Sequence, residues 1–303
     1  MKTIGSVDIG GTKIAVGAVR EDGKLLKQDE CPTEPEKGFP HAMKRVATMM
    51  RGLTDSGIAL AGIGVGCPGP LDPFSGIIGE VGTLPGWQGG NLVDALQSEF
   101  GVPVAVENDA DAAALGEARW GSDAGSGSFL YVTISTGIGA GMILDGRLYR
   151  GVDGAHPEIG HQLLDASGPQ CYCRARGCWE ALASGPAMVA WMQEQQPERQ
   201  FANASEICEE ARRGDPLALR CTEREGYYIG LGLANLITVF APDKIALGGG
   251  VMKSSALFMD TARAVIREIC TQVPSEKTQI TPASLGPEVG LLGAAQAWLL
   301  RYD

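Results

Sequence analysis

Glycine constrains this chain more than any other residue. Of 303 residues, 43 are glycine, and they gather in clusters: DIGGTK (8–13), GIGVGCPGP (62–70), STGIGAG (135–141) and LGGG (247–250). Each cluster touches an apolar, β-like run. A glycine turn lets the backbone double back tightly and bring bare N–H groups close to a ligand. Buried strands ending in such turns predict an α/β chain whose loops hug phosphates or sugars.

The order of elements repeats. Residues 3–9 and 14–19 read as strands around GGTK, and Gly23 turns the chain into a third strand near 25–31. Residues 128–135, the TGIGAG turn, MILDG and RLYRG follow the same order. We read an internal duplication: two α/β halves, each opening with a β-hairpin and a glycine loop, flanking a cleft. Clefts between domains are favoured ligand sites. Further strands are predicted at 62–67, 102–108 and 244–249. Apolar residues at helical spacing (Met43, Val46, Ala47, Met50 and Leu53) predict a helix over 40–57. Other helices are predicted at 91–100, capped by Asn91, and at 109–121, 181–195, 205–213, 216–240, 254–271 and 290–300. The expected domains are a smaller N-terminal one, 1–118, joined by the C-terminal helix 290–303, and a larger one, 119–289.

Charge and composition narrow the function classes. Lysine plus arginine is 25 against 36 acidic residues, a formal net charge of −11 with no basic block. That argues against nucleic-acid binding. No apolar run is long enough to span a bilayer, and the start, MKTIGSVDIGG, lacks the apolar stretch of a secretory leader. Eight cysteines in a long chain without an export signal fit reduced thiols and a metal site better than disulfides. The expected compartment is the cytoplasm, with no membrane partner.

Four motifs carry candidate chemistry. In DIGGTK, Asp8 ends a strand, Gly10 and Gly11 turn it, and Thr12 and Lys13 follow. This suits phosphate oxygens, with Asp8 placed to attract hydrated Mg²⁺; an ordinary hairpin turn is the bland alternative. Thr136, Gly137 and Gly139 offer a second phosphate hairpin. Gly248, Gly249 and Gly250 offer a turn that could take a base or ribose. Asn108 and Asp109 stand where a strand gives way to a helix, as simple N-capping residues or as a substrate ligand and general base.

The stretch HPEIGHQLLDASGPQCYCRARGCWE (156–180) is the densest. His161, Cys171, Cys173 and Cys178 offer four soft or borderline donors within 18 residues, which suits tetrahedral Zn²⁺ in a closed structural site. Buried free cysteines are the alternative. The second ring nitrogen of His161 would stay free for a ligand, and Glu158 and Glu180 would be delivered beside it. Carboxylates accept hydrogen bonds from hydroxyls, so an Asp, an Asn, a His and two Glu describe a polyhydroxylated substrate. His156 reads as a turn residue without a role.

In that order, DIGGTK, GVGCPGP, ENDAD, TGIGAG, EIGH and C-x-C-x4-C-x-E make the chain resemble the ROK family (repressors, open reading frames and kinases), and within it the glucokinase and N-acetylhexosamine kinase type. The resemblance runs from residue 4 to about 297. It implies an actin-like ATPase (ribonuclease H-like) fold of two α/β domains and transfer of the γ-phosphoryl of Mg-ATP to a hexose 6-hydroxyl. By the same resemblance Asp109 is the catalytic base. Asn108, Glu158, His161 and Glu180 are sugar ligands, and His161, Cys171, Cys173 and Cys178 hold zinc. Residues 8–13 and 136–139 are phosphate loops, and 248–250 the adenosine loop. The resemblance also implies a homodimer. Glucose is the first expected substrate, with N-acetylmannosamine or N-acetylglucosamine as alternatives and a silent sugar sensor as a remote one.

Two departures stand out. Arg174 replaces the glycine usual after the second cysteine, and GTLPGW (82–87) carries Gly82-Thr83 where glucokinases have a different pair, leaving room for another hexose. The repressor branch carries a DNA-binding segment before its DIGGTK-like motif; here seven residues precede Asp8, too few for such a module.

Overall fold

The computed structural model describes residues 1–303 except 56, 122–124 and 126, so the last turn expected for the 40–57 helix lies partly outside them. The chain divides into two compact units. One comprises 1–127, 141–157 and 283–303, and the other 128–140 and 158–282. The sequence placed the division at 118; here the chain passes between units several times, and residues 141–157 group with the N-terminal unit.

The first unit is built on β1 (Thr3–Ile9), β2 (Lys13–Arg20), β3 (Leu25–Pro32), β4 (Gly62–Cys67) and β5 (Val104–Asn108), in the order β3-β2-β1-β4-β5. β1 and β2 form a tight antiparallel hairpin closing at Ile9↔Ile14. β4 and β5 run parallel to β1, with Asp8 level with Gly66 and Cys67 level with Asn108. One face carries α1 (Phe39–Thr54) and α2 (Leu92–Phe100), whose Met43, Val46, Met50, Leu92 and Leu96 pack with Val7, Val16 and Val65. Asn91 caps α2, accepting the Asp94 N–H at 3.1 Å.

The other face is covered by α3 (Asp109–Trp120) and the C-terminal α9 (Val289–Tyr302). Here the sequence reading needs correction. Two of the three glycines of GIGVGC, Gly62 and Gly64, serve helix packing, while Gly66 lies beside Asp8 and Asp109. A Cβ on Gly62 would overlap the Trp298 ring, and one on Gly64 the Ala294 carbonyl. These glycines let α9 lie directly on β4. Gly116 and Gly293 do the same where α3 crosses α9. Glu117, fully buried, accepts the N–H groups of Ser284 and Leu285 at 2.9 and 2.8 Å, fixing the approach to α9.

The second sheet has the order β10-β9-β6-β7-β8, formed by β6 (Phe129–Ile134), β7 (Ile138–Leu144), β8 (Arg147–Leu148), β9 (Lys244–Gly248) and β10 (Gln279–Pro282). Read from β8 it repeats the first sheet strand for strand: β7 pairs antiparallel with β8, β6 parallel with β9, and β9 parallel with β10. The duplication is thus a property of topology. β10 escaped the sequence reading because it is a four-residue edge strand without clear alternation. The predicted 181–195 helix is broken into α4 (Trp179–Ala183) and α5 (Gly185–Gln195), with Ser184 capping the second. α6 (Ala204–Arg212), α7 (Pro216–Phe240) and α8 (Met259–Ile269) complete this unit; residues 251–257 are 3₁₀ turns rather than the start of α8. Along α7, Gly226 and Gly230 admit α8, and Gly232 admits the buried Trp179. No helix of the described residues is long and apolar enough to cross a membrane.

Candidate active site

In the first unit the parallel strands deliver their carboxyl ends to one edge, the position where open α/β sheets bind ligands. Asp8 is the penultimate residue of β1, and Asn108 ends β5. Asn108 caps α3: its side-chain oxygen accepts the N–H groups of Ala110 and Asp111 at 2.8 and 3.3 Å. The capping reading is therefore realised, and it commits the carbonyl oxygen rather than the amide nitrogen. Asp109 opens α3, with its Oδ1 accepting the Ala110 N–H at 2.9 Å. Burial first, and then the Asp109 charge, push Asp8 up to about 6, while Lys13 pulls it down. The two carboxylates therefore share one field, which a divalent cation would relieve.

The Gly10–Gly11 turn is pinned from within the unit. Gly10 N–H donates to the Lys13 carbonyl at 2.8 Å, and the Thr33 hydroxyl donates to the Gly10 carbonyl at 2.6 Å. The Thr33 N–H reaches the Thr12 carbonyl at 2.9 Å. A Cβ on Gly11 would come within 2.9 Å of Thr83. Thr83 of the divergent Gly82-Thr83 pair thus packs on the turn itself. Lys13 Nζ lies 2.9 Å from Glu30 in an exposed pair.

In the second unit, Thr136 is exposed at the β6–β7 turn. Glu180, on α4, accepts the Ile138 N–H at 2.7 Å, and its carboxylate lies where a Cβ on Gly137 would stand. A residue read as a sugar ligand therefore also holds the glycine hairpin. Gly139 lies inside β7 rather than in the turn. Gly248 packs under Tyr131, Gly249 has φ +92° and presses on the Ile134 carbonyl, and Gly250 lies by Ser135. The two glycine motifs of this unit therefore meet at the ends of β6 and β9.

His161, Cys171, Cys173 and Cys178 bring one donor atom each within 4.8 Å of the others. Cys171 Sγ is 3.6 Å from His161 Nδ1, and Cys173 Sγ is 3.5 Å from Cys178 Sγ. Zn–S bonds of about 2.3 Å in a tetrahedron place neighbouring donors roughly 3.5–4 Å apart, so the set fits zinc. The other five cysteines are free thiols. Arg174 takes φ +76°; the turn needs the conformation that glycine adopts without strain, and a side chain sits there instead.

The sequence left His161 Nε2 open. The structure puts the Tyr172 hydroxyl 3.0 Å from it, with the two rings edge to face at 5.1 Å. Desolvation, then the charges of Glu180 and Glu158, raise the Tyr172 hydroxyl well above the ordinary tyrosine range. Glu158, His161, Tyr172 and Glu180 thus form one polar group. Tyr172 was missed; its only sequence signal was its place between two cysteines of the four-donor set. His156, read as roleless, has Nδ1 3.0 Å from Asp111 Oδ2, and both side chains are nearly buried.

The chain is similar to proteins of known family and structure. The family model described as "ROK family" matches residues 4–301. A protein named glucokinase from Thermotoga maritima is 32% identical over 309 residues, covering 97% of this chain and 96% of its own length. The solved structure of a ROK hexokinase from Thermus thermophilus is 35% identical, with a TM-score of 0.85 and 99% of each chain covered. That of a ROK family glucokinase from Streptomyces griseus, in complex with glucose and AMPPNP, is 32% identical at a TM-score of 0.82, covering 97% of this chain and 98% of its own.

Proposed function

The chain belongs to the ROK family, and from that premise we propose that it is an ATP-dependent hexose kinase acting on glucose in the cytoplasm as a homodimer. The observation that carries the reading is Asp109 at the start of α3, beside the half-buried Asp8 near the end of β1. The similarity to a glucokinase solved with glucose and AMPPNP supports it.

Asp109 accepts the proton of the hexose 6-hydroxyl as that oxygen attacks the γ-phosphorus in line. Phosphoryl transfer asks little covalent chemistry of the protein and much positioning and charge neutralisation. Asn108 directs its amide N–H groups at the sugar, because its carbonyl is occupied by the cap. Glu158, His161 and Glu180 accept or donate at the other hydroxyls. The turns at Gly10–Lys13 and Thr136–Gly139 present N–H groups and side chains to the phosphates, and Gly248–Gly250 lie against the adenosine. Asp8 would hold Mg²⁺ brought with ATP, and the ion would supply neutralisation of phosphate charge. The four-donor set fits zinc, which would pin the loop carrying His161.

The test is a coupled ADP-release assay with Mg-ATP and glucose, mannose, fructose, N-acetylglucosamine and N-acetylmannosamine. A kcat/KM for glucose well above the rest is expected. A higher value for an N-acetylhexosamine would move the substrate, and no turnover with any sugar would remove the kinase reading.

A further inference from the structure

A cavity of about 620 Å³ opens in the first unit, away from Asp8 and Asp109. Its size lies within the usual range of small-molecule sites, ~300–1,000 Å³. Four arginines line it: Arg119 on α3, Arg147 and Arg150 on and after β8, and Arg301 on α9. In a chain with 25 basic and 36 acidic residues, that concentration is notable. Among the described residues Glu107 is the one acid in the wall, and it is paired with Arg150. Arg301 donates to the carbonyls of Pro73 and Phe74 at 2.7 and 3.2 Å. Among the described residues, Arg119 and Arg147 enter no ion pair.

The wall also holds a buried polar group without a partner. Gln296, on α9, is 8% exposed, and its Oε1 has no hydrogen-bond partner among the described residues. The Arg150 Nε–H is likewise buried and unpartnered. A buried amide oxygen left unsatisfied bears its desolvation penalty uncompensated, so a donor from a ligand would gain where water is excluded. Phe74 and Leu300 are largely exposed at the rim and offer an apolar face beside these charges.

We propose that this cavity is a second binding site, for a phosphorylated sugar. The phosphate monoester would sit between the unpaired guanidinium groups of Arg119 and Arg147, whose planar forks match phosphate oxygens. A sugar hydroxyl would donate to Gln296 Oε1, and the Arg150 Nε–H would donate to a ring or hydroxyl oxygen. Phe74 would cover the carbon skeleton.

The place of the site makes it an effector site. Glu107 immediately precedes Asn108 and Asp109 on β5. α9, which supplies Gln296 and Arg301, begins at the Asp8 carboxylate, where Gly290 packs against it. A ligand that draws Arg150 away from Glu107 therefore acts on both elements that hold the two carboxylates.

The test is calorimetric titration of the full chain with glucose 6-phosphate, glucose and inorganic phosphate. Binding is read without turnover, and because glucose and glucose 6-phosphate would also enter the catalytic site of the proposed kinase as substrate and product, only the binding that the arginine variant below removes is assigned to this cavity. The site predicts that glucose 6-phosphate binds at least tenfold more tightly than either glucose or phosphate at this cavity. It also predicts that the double variant Arg119→Gln/Arg147→Gln weakens that binding at least tenfold and leaves kcat and KM in the absence of sugar phosphate unchanged. Equal affinity in wild type and variant would assign the binding elsewhere and overturn the proposal. Equal affinity for inorganic phosphate would overturn the sugar part. Binding that the variant abolishes but that leaves the wild-type kcat and KM unchanged would overturn the effector role.

Discussion

The carboxylate of Asp8 lies in the space that a Cβ on Gly290 would fill. Gly290 is the second residue of α9, far from Asp8 in sequence and outside every motif read from it. The glycine lets the start of the C-terminal helix close directly over the carboxylate, and the burial this creates is the first cause of its raised pKa of about 6.

Gly290→Ala is expected to displace Asp8 and destabilise the protein by ~1–3 kcal/mol, as overpacking does. The kinetic effect exceeds the stability effect, with kcat falling more than tenfold while the folded fraction at 25 °C stays near one. A variant with normal kcat would separate Asp8 from catalysis. Because the raised pKa keeps Asp8 protonated at acid pH, kcat in the wild type is expected to fall as pH drops through about 6.

Asp109→Asn removes the proposed base and leaves the α3 cap at Asn108 intact. Turnover should fall by several orders of magnitude, whereas hexose affinity by calorimetry should change less than tenfold, since general-base catalysis alone contributes about 10²–10⁴. Near-wild-type turnover would sink the assignment.

The four-donor cluster gives a metal test that does not rely on activity. Purified protein should contain close to one zinc per chain by elemental analysis, and Cys178→Ser should lose it. Loss of a structural zinc removes folding energy outright, so the melting temperature of that variant should drop and the loop should become protease-sensitive. Full zinc retention in Cys178→Ser would exclude the cluster.

Arg174 sits at φ +76° in the same loop, where a side chain costs about 1 kcal/mol relative to glycine. Arg174→Gly is expected to raise stability by ~0.5–1 kcal/mol without altering zinc content. A lower melting temperature would mean that the arginine makes contacts outweighing its backbone strain.

Glu225 on α7 is fully buried, and neither carboxylate oxygen has a hydrogen-bond partner among the described residues. Burial pushes it from 4.5 to about 8, against a smaller opposing effect of Arg224. The folded chain then keeps a proton that the unfolded chain releases, so stability falls as pH rises from about 4.5 to about 8, by at most ~5 kcal/mol. Glu225→Gln should flatten this part of the curve in urea melts at several pH values. An unchanged slope would show that other groups set it.

Much of this fold was legible in one dimension. Helical spacing in residues 43–53 and short apolar runs ending in glycine located nearly all the elements, because such periodicities are local consequences of which face meets the core. The repeated strand–turn–strand order foretold two sheets of equal topology. The meeting of His161 with the three cysteines was legible too, since short-range spacing largely determines whether four such donors can come together. What the sequence misassigned were contacts between distant segments. Gly62 and Gly64 looked like ligand glycines but serve α9, and that required knowing which helix crosses β4. Glu180 looked like a sugar ligand alone, yet it also holds the Ile138 N–H of a hairpin more than 40 residues away. Tyr172 against His161, His156 against Asp111 and Gly290 against Asp8 have no sequence signature. Each depends on a side chain's position to within a few tenths of an ångström, which packing between remote segments decides and residue order alone does not.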